Sequence, residues 1–136
     1  MGLESKIKDA VNWSVPVVDL GTTLREVIRQ LVDNNVSALV VKSGDVVVGV
    51  VTDMDVLDSL AAGKDQDTLK VADFLTPCEL ISGQAVKSPC VQLDESESVK
   101  NAIKLLTVAG THNLLVSGNL RAGIASVRDL LKLIRS

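Results

Sequence analysis

The sequence of 136 residues predicts an α/β (α+β) fold in which two β-α-β-β-α repeats pack about a pseudo-two-fold axis. Three observations lead to this prediction. Two long segments of the chain resemble each other, each has an apolar helical stripe followed by two β-branched runs, and aromatic residues make up only 1% of the chain. The core must therefore be aliphatic, and a chain of this length suits one tandem module spanning residues 1–136.

An internal repeat relates residues 15–60 to residues 88–134. The apolar stripe of the first copy has a counterpart in the second, with Leu24, Val27, Ile28 and Leu31 matching Val99, Ala102, Ile103 and Leu106. We expect repeat one at about residues 6–63, a connector at about 64–84 and repeat two at about 85–136. One small repeat would leave a sheet face uncovered, so we expect the two to pack together with a cleft between them.

The elements of repeat one follow from periodicity. A short extended run at 15–19 precedes an amphipathic helix that starts at Leu24, where Thr23 and Glu26 are spaced as a capping box. Two β-branched runs, 36–42 and 46–52, are separated by a hairpin turn. A second helix is predicted at 53–60, with Gly63 as its carboxyl-terminal cap.

Repeat two shows the same order. Strands are predicted near 89–93, 112–117 and 120–126, and helices near 97–109 and 127–134. The connector has helical spacing at 68–75 and is ended by Thr76 and Pro77. A similar short helix is predicted at 4–11, ahead of Trp13.

Composition excludes several classes of protein. A formal charge of −3, a pI near 5.1 and the lack of aromatic platforms argue against a nucleic-acid partner. No apolar stretch has the length of a signal peptide or a membrane span, so we expect a cytoplasmic protein without a membrane partner. Cys78 and Cys90 form no Cys-x-x-Cys motif and the chain has one histidine, so we expect reduced core thiols and no metal site.

Catalytic motifs are also absent from the sequence. Gly63 and Lys64 would fit a phosphate-binding loop only if glycine stood at Asp58 and serine or threonine at Asp65. No Gly-x-Ser-x-Gly occurs, and a single histidine leaves little material for a Ser-His-Asp relay. We therefore predict no catalytic residues, no enzyme activity and no required cofactor.

The polar match between the repeats lies where the third strand meets the last helix. Residues 49–55 and 123–129 share the pattern Gly-hydrophobic-x-(Ser/Thr)-x-x-Asp, here called the signature. One interpretation is a helix capping box, in which the hydroxyl and the acid serve the helix start. The other is a nucleoside phosphate site, because glycine allows close approach, the helix start holds an anion and a carboxylate accepts ribose hydroxyls.

The repeat order together with two intact signatures resembles the CBS domain pair, or Bateman module, from about Lys6 to Ile134. The resemblance implies binding of AMP, ADP or ATP, or in some members S-adenosylmethionine or NAD, in the cleft between the repeats. Carried over to this chain, the phosphate and ribose contacts fall on Thr52 with Asp55 and on Ser126 with Asp129. The adenine contacts implied by the resemblance are Pro16, Val17, Ser37 and Ala38 in one repeat, and Pro89, Cys90, His112 and Asn113 in the other.

One departure from the family pattern bears on the ligand. Nucleotide-sensing members often place arginine or histidine at the start of the second strand, where this chain has Ser37-Ala38 and His112-Asn113. AMP is therefore favoured over ADP and ATP. Arg128, Arg121 and Lys42 are interpreted as solvated and Trp13 as covering core. For His112, a satisfied, partly buried side chain and a phosphate contact both stay open.

The resemblance implies a regulatory, ligand-sensing module that forms a homodimer and acts on a protein partner that the sequence does not identify. Exposed Leu and Val on the last helix of each repeat would support the dimer. One alternative is a structural homodimerisation module whose signatures are only helix caps. Another is a tandem ACT-like domain that binds amino acids, disfavoured because neither repeat has a further strand after its second helix.

Overall fold

The computed structural model describes residues 2–80 and 87–135. The chain divides into two compact units. The first unit is Val15–Pro77, and the second unit combines Met1–Ser14 with Cys78–Ser136. The first unit holds the predicted repeat one from residue 15 onward together with part of the expected connector, whereas residues 6–14 belong to the second unit. The mixed α+β class is confirmed.

The first unit contains a four-stranded sheet with helices. Its elements are β1 Val17–Asp19, α1 Leu24–Asp33, β2 Ala38–Ser43, β3 Val46–Thr52, α2 Asp53–Ala61, a short 3-10 helix Val71–Asp73 and β4 Thr76–Pro77. The sheet order is β1-β2-β3-β4, with β1 parallel to β2 and the other neighbours antiparallel. The predicted capping box of α1 is half formed, because Thr23 caps the helix while the Glu26 carboxylate pairs with Arg29 and Gln30.

The second unit repeats this plan with one difference at the sheet edge. Its elements are a 3-10 helix Ile7–Ala10, β5 Glu79–Leu80, β6 Val91–Asp94, α3 Val99–Ala109, β7 Leu114–Gly118, β8 Arg121–Ala125 and α4 Val127–Ile134. The sheet order is β5-β6-β7-β8, parallel except for the β7–β8 hairpin. Each unit has its own aliphatic core, and Trp13 and Phe74 are only partly buried against these cores.

The structure differs from the sequence prediction in the segments between the repeats. The helices predicted at 68–75 and 4–11 are reduced to the 3-10 helices Val71–Asp73 and Ile7–Ala10. The strands β4 and β5 were not predicted, since two residues carry no readable periodicity. The expected start of repeat two, at about residue 85, lies outside the described residues.

The two short 3-10 helices lie in two similar segments, here called the entry segments. The entry segments are residues 6–13 and 70–77, and they share a pattern of lysine, aliphatic, any residue, aspartate, any residue, aliphatic. The last two residues of the segment 70–77 pair with β3, Thr76 with Val50 and Pro77 with Gly49. Residues 6–13 precede the first unit in the chain but pack in the second, where Asn12 pairs with Ile124 of β8.

The signature glycines lie where the entry segments cross β3 and β8. A Cβ atom on Gly49 would overlap the Thr76 carbonyl oxygen. A Cβ atom on Gly123 would stand 2.6 Å from the Asn12 carbonyl oxygen and 2.5 Å from Val11. The close approach that the sequence attributes to a ligand is therefore made by the chain's own backbone.

Cys78 and Cys90 correct a prediction made from the sequence. The structure joins them in a disulfide across 12 residues of sequence, within the second unit, where reduced thiols were expected. Sequence spacing could not show this, because the pairing depends on β5 lying beside β6. The crosslink ties the start of β5 to the start of β6.

Filling the space at the signature glycines should destabilise the protein. We expect Gly49→Ala and Gly123→Ala each to lower the free energy of unfolding by about 1–3 kcal/mol, because the new methyl group meets a backbone carbonyl that a rotamer change cannot move. Urea unfolding followed by circular dichroism measures this. Gly21→Ala is the control, since its Cβ would meet only the Asp19 carboxylate at 3.5 Å. Equal stability of all three variants would contradict the packing argument.

Opening the disulfide should also cost stability. For a loop of this length the chain-entropy estimate is about 3 kcal/mol, so urea unfolding with a dithiol reductant should show a midpoint well below that of the oxidised protein. The Cys78→Ser/Cys90→Ser variant should match the reduced protein and be insensitive to the reductant. A midpoint unchanged by reduction would show that the crosslink contributes nothing.

Candidate functional site

The first signature lies at the junction of β3 and α2. Thr52 is the helix N-cap and is only 7% exposed. Its Oγ1 accepts a hydrogen bond from the Asp55 amide at 3.1 Å, and its own amide donates to Asp55 Oδ2 at 2.9 Å. The two residues therefore form a complete capping box.

The second signature lies at the junction of β8 and α4 and has the same geometry. Ser126 Oγ accepts from the Asp129 amide at 3.0 Å, and the Ser126 amide donates to Asp129 Oδ2 at 3.1 Å. The capping interpretation is thus correct for both signatures. Ligand binding by the same residues stays a prediction, and capping does not oppose it, because a carboxylate has lone pairs beyond the one a cap uses.

The two aspartates differ in their remaining contacts. In the first unit, Thr76 Oγ1 lies 2.9 Å from both carboxylate oxygens of Asp55 and donates to them. In the second unit the position equivalent to Thr76 is Asn12, whose Oδ1 accepts from the Ser14 amide at 3.0 Å. Within the described residues, no hydrogen bond joins Asn12 to Asp129.

Each aspartate borders a groove formed with the entry segment of its own unit. The Asp129 groove has a volume of about 340 Å³ and is lined by Asp9, Ala10, Val11, Asn12, Asp129, Lys132 and Leu133. The Asp55 groove has a volume of about 270 Å³ and is lined by Asp55, Asp58, Ser59, Ala62, Lys64, Leu69, Asp73 and Phe74. Sequence reasoning missed the contribution of the entry segments, although their mutual similarity was readable.

The predicted adenine contacts of the first unit lie close to its signature. Ala38 pairs with Thr52 across β2 and β3, and the Ser37 carbonyl accepts from the Asp53 amide at 2.9 Å. The Pro16 carbonyl accepts from the Val40 amide, which places Pro16 at the same end of the sheet. Val17 is 49% exposed and Ala38 is buried, so Val17 offers more apolar surface to a ligand.

The predicted contacts of the second unit are as exposed as those of the first, with Pro89 on the surface and Asn113 half-buried. Cys90 is fully buried and bonded to Cys78, so it presents no thiol surface. The Asn113 side-chain Nδ2 donates to the Pro89 carbonyl at 2.9 Å. His112 is exposed, which removes the partly buried alternative for this side chain.

Arg121 is engaged within the protein. Its guanidinium lies 3.7 Å from the Trp13 ring centroid and donates to Glu95 at 2.9 Å. This hydrogen bond holds the pKa of the Glu95 carboxyl below its usual value. The pair therefore stabilises the fold at neutral pH, and that contribution is lost as the pH falls through the lowered pKa. Trp13 donates its indole N–H to the Lys8 carbonyl and packs on the core, as predicted.

The CBS domain family model matches residues 7–62 and 83–136 of this chain, which together are well over half of its length. The chain belongs to the CBS domain family. Two tandem matches make it a CBS domain pair, and such pairs are generally regulatory, ligand-binding modules. The structural assignment of the two repeats agrees with this membership.

Several solved structures share the fold. A conserved protein from Pyrococcus horikoshii superposes with a TM-score of 0.78 at 22% identity, covering 100% of this chain and 96% of that one. A CBS domain protein of unknown function from Thermoplasma acidophilum gives 0.75 at 18% identity, covering 94% and 68%. The CBS domain of a bacterial CNNM/CorC family Mg²⁺ transporter gives 0.72 at 19% identity, covering 98% and 76%. No curated protein sequence matches the chain.

Two further observations concern residues 2–80 and 87–135. No group of three or more His, Cys, Asp or Glu side chains in this part of the chain is arranged to hold a metal ion. Among the helices described there, none has the length and apolar character needed to cross a bilayer.

Proposed function

We propose that this CBS pair is a sensor of an adenosine nucleotide, with AMP favoured over ADP and ATP. The observation that carries the proposal is the duplicated signature, which brings a hydroxyl and a carboxylate together at a helix start in each unit, where the aspartate also lines a groove. Family membership supports a small-molecule ligand, and the chemistry of these groups supports its class.

The signature suits a ribose 5′-phosphate. A carboxylate accepts hydrogen bonds from the two ribose hydroxyls, while the first amides of a helix lack intrahelical partners and can donate to a phosphate. Asp129 and the amides that follow Ser126 supply both groups at the start of α4. The adenine is assigned to the apolar surface of Pro16 and Val17 in the first unit and to Pro89 and the neighbouring Asn113 in the second.

The small number of basic side chains near the signatures favours a ligand with a single phosphate. Arg121 is held by Glu95 and Trp13, and the start of β2 has no basic residue. Arg128 and His112 are exposed near the second signature, which is a modest basic complement for a triphosphate. S-adenosylmethionine and NAD contain the same adenosine group and are the alternative ligands.

The proposed role is regulatory, without catalysis by this chain. Bound nucleotide would favour one conformation of the protein over another, by no more than the difference in its affinity for the two. A partner protein that contacts the favoured conformation would respond to the nucleotide. The identity of that partner follows from no residue described above.

Calorimetric titration of the nucleotide-free protein with AMP, ADP, ATP, S-adenosylmethionine and NAD tests the proposal. We expect AMP to bind most tightly and, at a hundredfold excess over its Kd, to add about 2.7 kcal/mol to the free energy of unfolding, seen as a raised Tm. The Asp55→Ala/Asp129→Ala variant should stay folded and lose binding. Affinity unchanged in that variant would refute the ribose assignment, and no binding by any of the five ligands would refute the sensor.

A homodimer is the second part of the proposal, and it holds with or without a ligand. Large apolar side chains on the outer faces of α2 and α4 are exposed to solvent, namely Met54, Leu57, Leu60, Val127 and Leu131. Exposed apolar faces of this kind are typical of association surfaces. If no ligand binds, dimerisation alone becomes the function, with the signatures as helix caps.

Charge placed on these faces should dissociate the dimer. We expect Leu57→Lys and Leu131→Lys, each at a side chain more than half exposed, to shift sedimentation toward monomer without lowering Tm greatly. Leu120→Lys is the control, because Leu120 is 97% exposed in the β7–β8 turn and lies on neither helix. A wild-type protein that sediments as a monomer, or equal dimer strength in all variants, would refute this assignment.

A further inference from the structure

We infer that the two signatures are not equivalent and that one nucleotide binds per chain, at Asp129, while Thr76 closes the site at Asp55. This inference rests on the proposed function and adds to it which signature takes the ligand. It is argued from three differences between the two units.

The first difference is that both oxygens of the Asp55 carboxylate already accept hydrogen bonds from the protein. Thr76 Oγ1 is 2.9 Å from Oδ1 and from Oδ2, and the Thr52 amide donates to Oδ2. A ribose diol that sought the same two oxygens would have to displace the Thr76 hydroxyl. Since the pairing of Thr76 with Val50 in the sheet already fixes its backbone, only the side-chain rotamer must be ordered to position its hydroxyl.

The second difference is the availability of the Asp129 carboxylate. Its Oδ2 accepts from the Ser126 amide, and in the described part of the chain Oδ1 has no hydrogen-bond donor from the protein. Asn12, at the position of Thr76, lines the Asp129 groove, and its Oδ1 accepts from the Ser14 amide, so its NH₂ group makes no hydrogen bond to Asp129 among the described residues. The second unit thus offers the Oδ1 carboxylate oxygen of Asp129 and the NH₂ group of Asn12, where in the first unit the Thr76 hydroxyl is already bonded to Asp55.

The third difference is charge. Helix α2 starts with Asp53 and Asp55, and its groove also contains Asp58 and Asp73 against a single Lys64. Helix α4 has Val127 and Arg128 in place of Asp53 and Met54, and its groove contains Asp9 and Asp129 with Lys132. A phosphate is an anion, so Coulomb repulsion disfavours it in the first unit more than in the second.

Titration with AMP decides between one site and two. We expect a stoichiometry of one AMP per chain. Asp129→Asn should lower the affinity for AMP roughly 10- to 100-fold, because it removes a hydrogen bond to a charged group. Asp55→Asn should leave the affinity unchanged. Two equivalent sites in the wild-type protein, or a loss caused by Asp55→Asn alone, would overturn the inference while leaving the sensor intact.

Reciprocal variants test Thr76 directly. Thr76→Val keeps the shape and the β-branched side chain but removes the donor, so a second, weaker AMP should bind in the first unit. Asn12→Thr places a hydroxyl at the equivalent position of the second unit and should weaken binding at Asp129. Thr107→Val is the control, because its hydroxyl donates only within α3, to the Ile103 carbonyl. Unchanged stoichiometry in Thr76→Val would show that Thr76 does not close the site.

A measurement without ligand separates this inference from the proposed function. In a double-mutant cycle, Thr76→Val and Asp55→Asn should shift Tm non-additively, while Asn12→Ala and Asp129→Asn should add. Additive shifts in the first pair would overturn the contact between Thr76 and Asp55. Absence of binding by AMP and by the four other ligands would instead overturn the sensor, and the assignment of a single site with it, whatever the cycle shows.

Discussion

The contact between a backbone carbonyl and a glycine, made once in each unit, is the constraint on which the rest of the structure depends. Thr76 crosses Gly49 and Asn12 crosses Gly123 at distances that leave no room for a Cβ atom. The contact covers part of an outer strand whose edge would otherwise be open to other chains. It also brings one side chain of each entry segment to the signature, and so sets the chemistry available to the aspartate there.

Helix capping and ligand binding draw on the same residues without excluding each other. The cap uses the hydroxyl oxygen as an acceptor and one carboxylate oxygen for the backbone amide. A second carboxylate oxygen remains wherever no neighbour reaches it. A side chain outside the signature therefore decides whether a signature serves the fold alone or also has capacity for a ligand.

Much of the fold was predictable because its long elements have strong periodicity. The stripe through Leu24, Val27 and Leu31 identified α1, and the β-branched runs identified the hairpins. The strands β4 and β5 could not be predicted, since a strand of two residues shows no hydrophobic alternation. The disulfide could not be predicted either, because it depends on which segments lie side by side in the folded chain. For the site, the signature pairs were readable as motifs, whereas the contact of Thr76 with Asp55 depends on strand pairing between distant segments.

The distribution of the entry segments bears on how the chain folds as it is synthesised. The first unit is one continuous stretch, so it can complete its core as soon as Pro77 has left the ribosome. The second unit buries Ile7 completely, yet the strands and helices that share its core are made later. Until then the core side chains of the amino-terminal segment, Ile7 among them, stay exposed to solvent, where a chaperone or a neighbouring nascent chain can bind them.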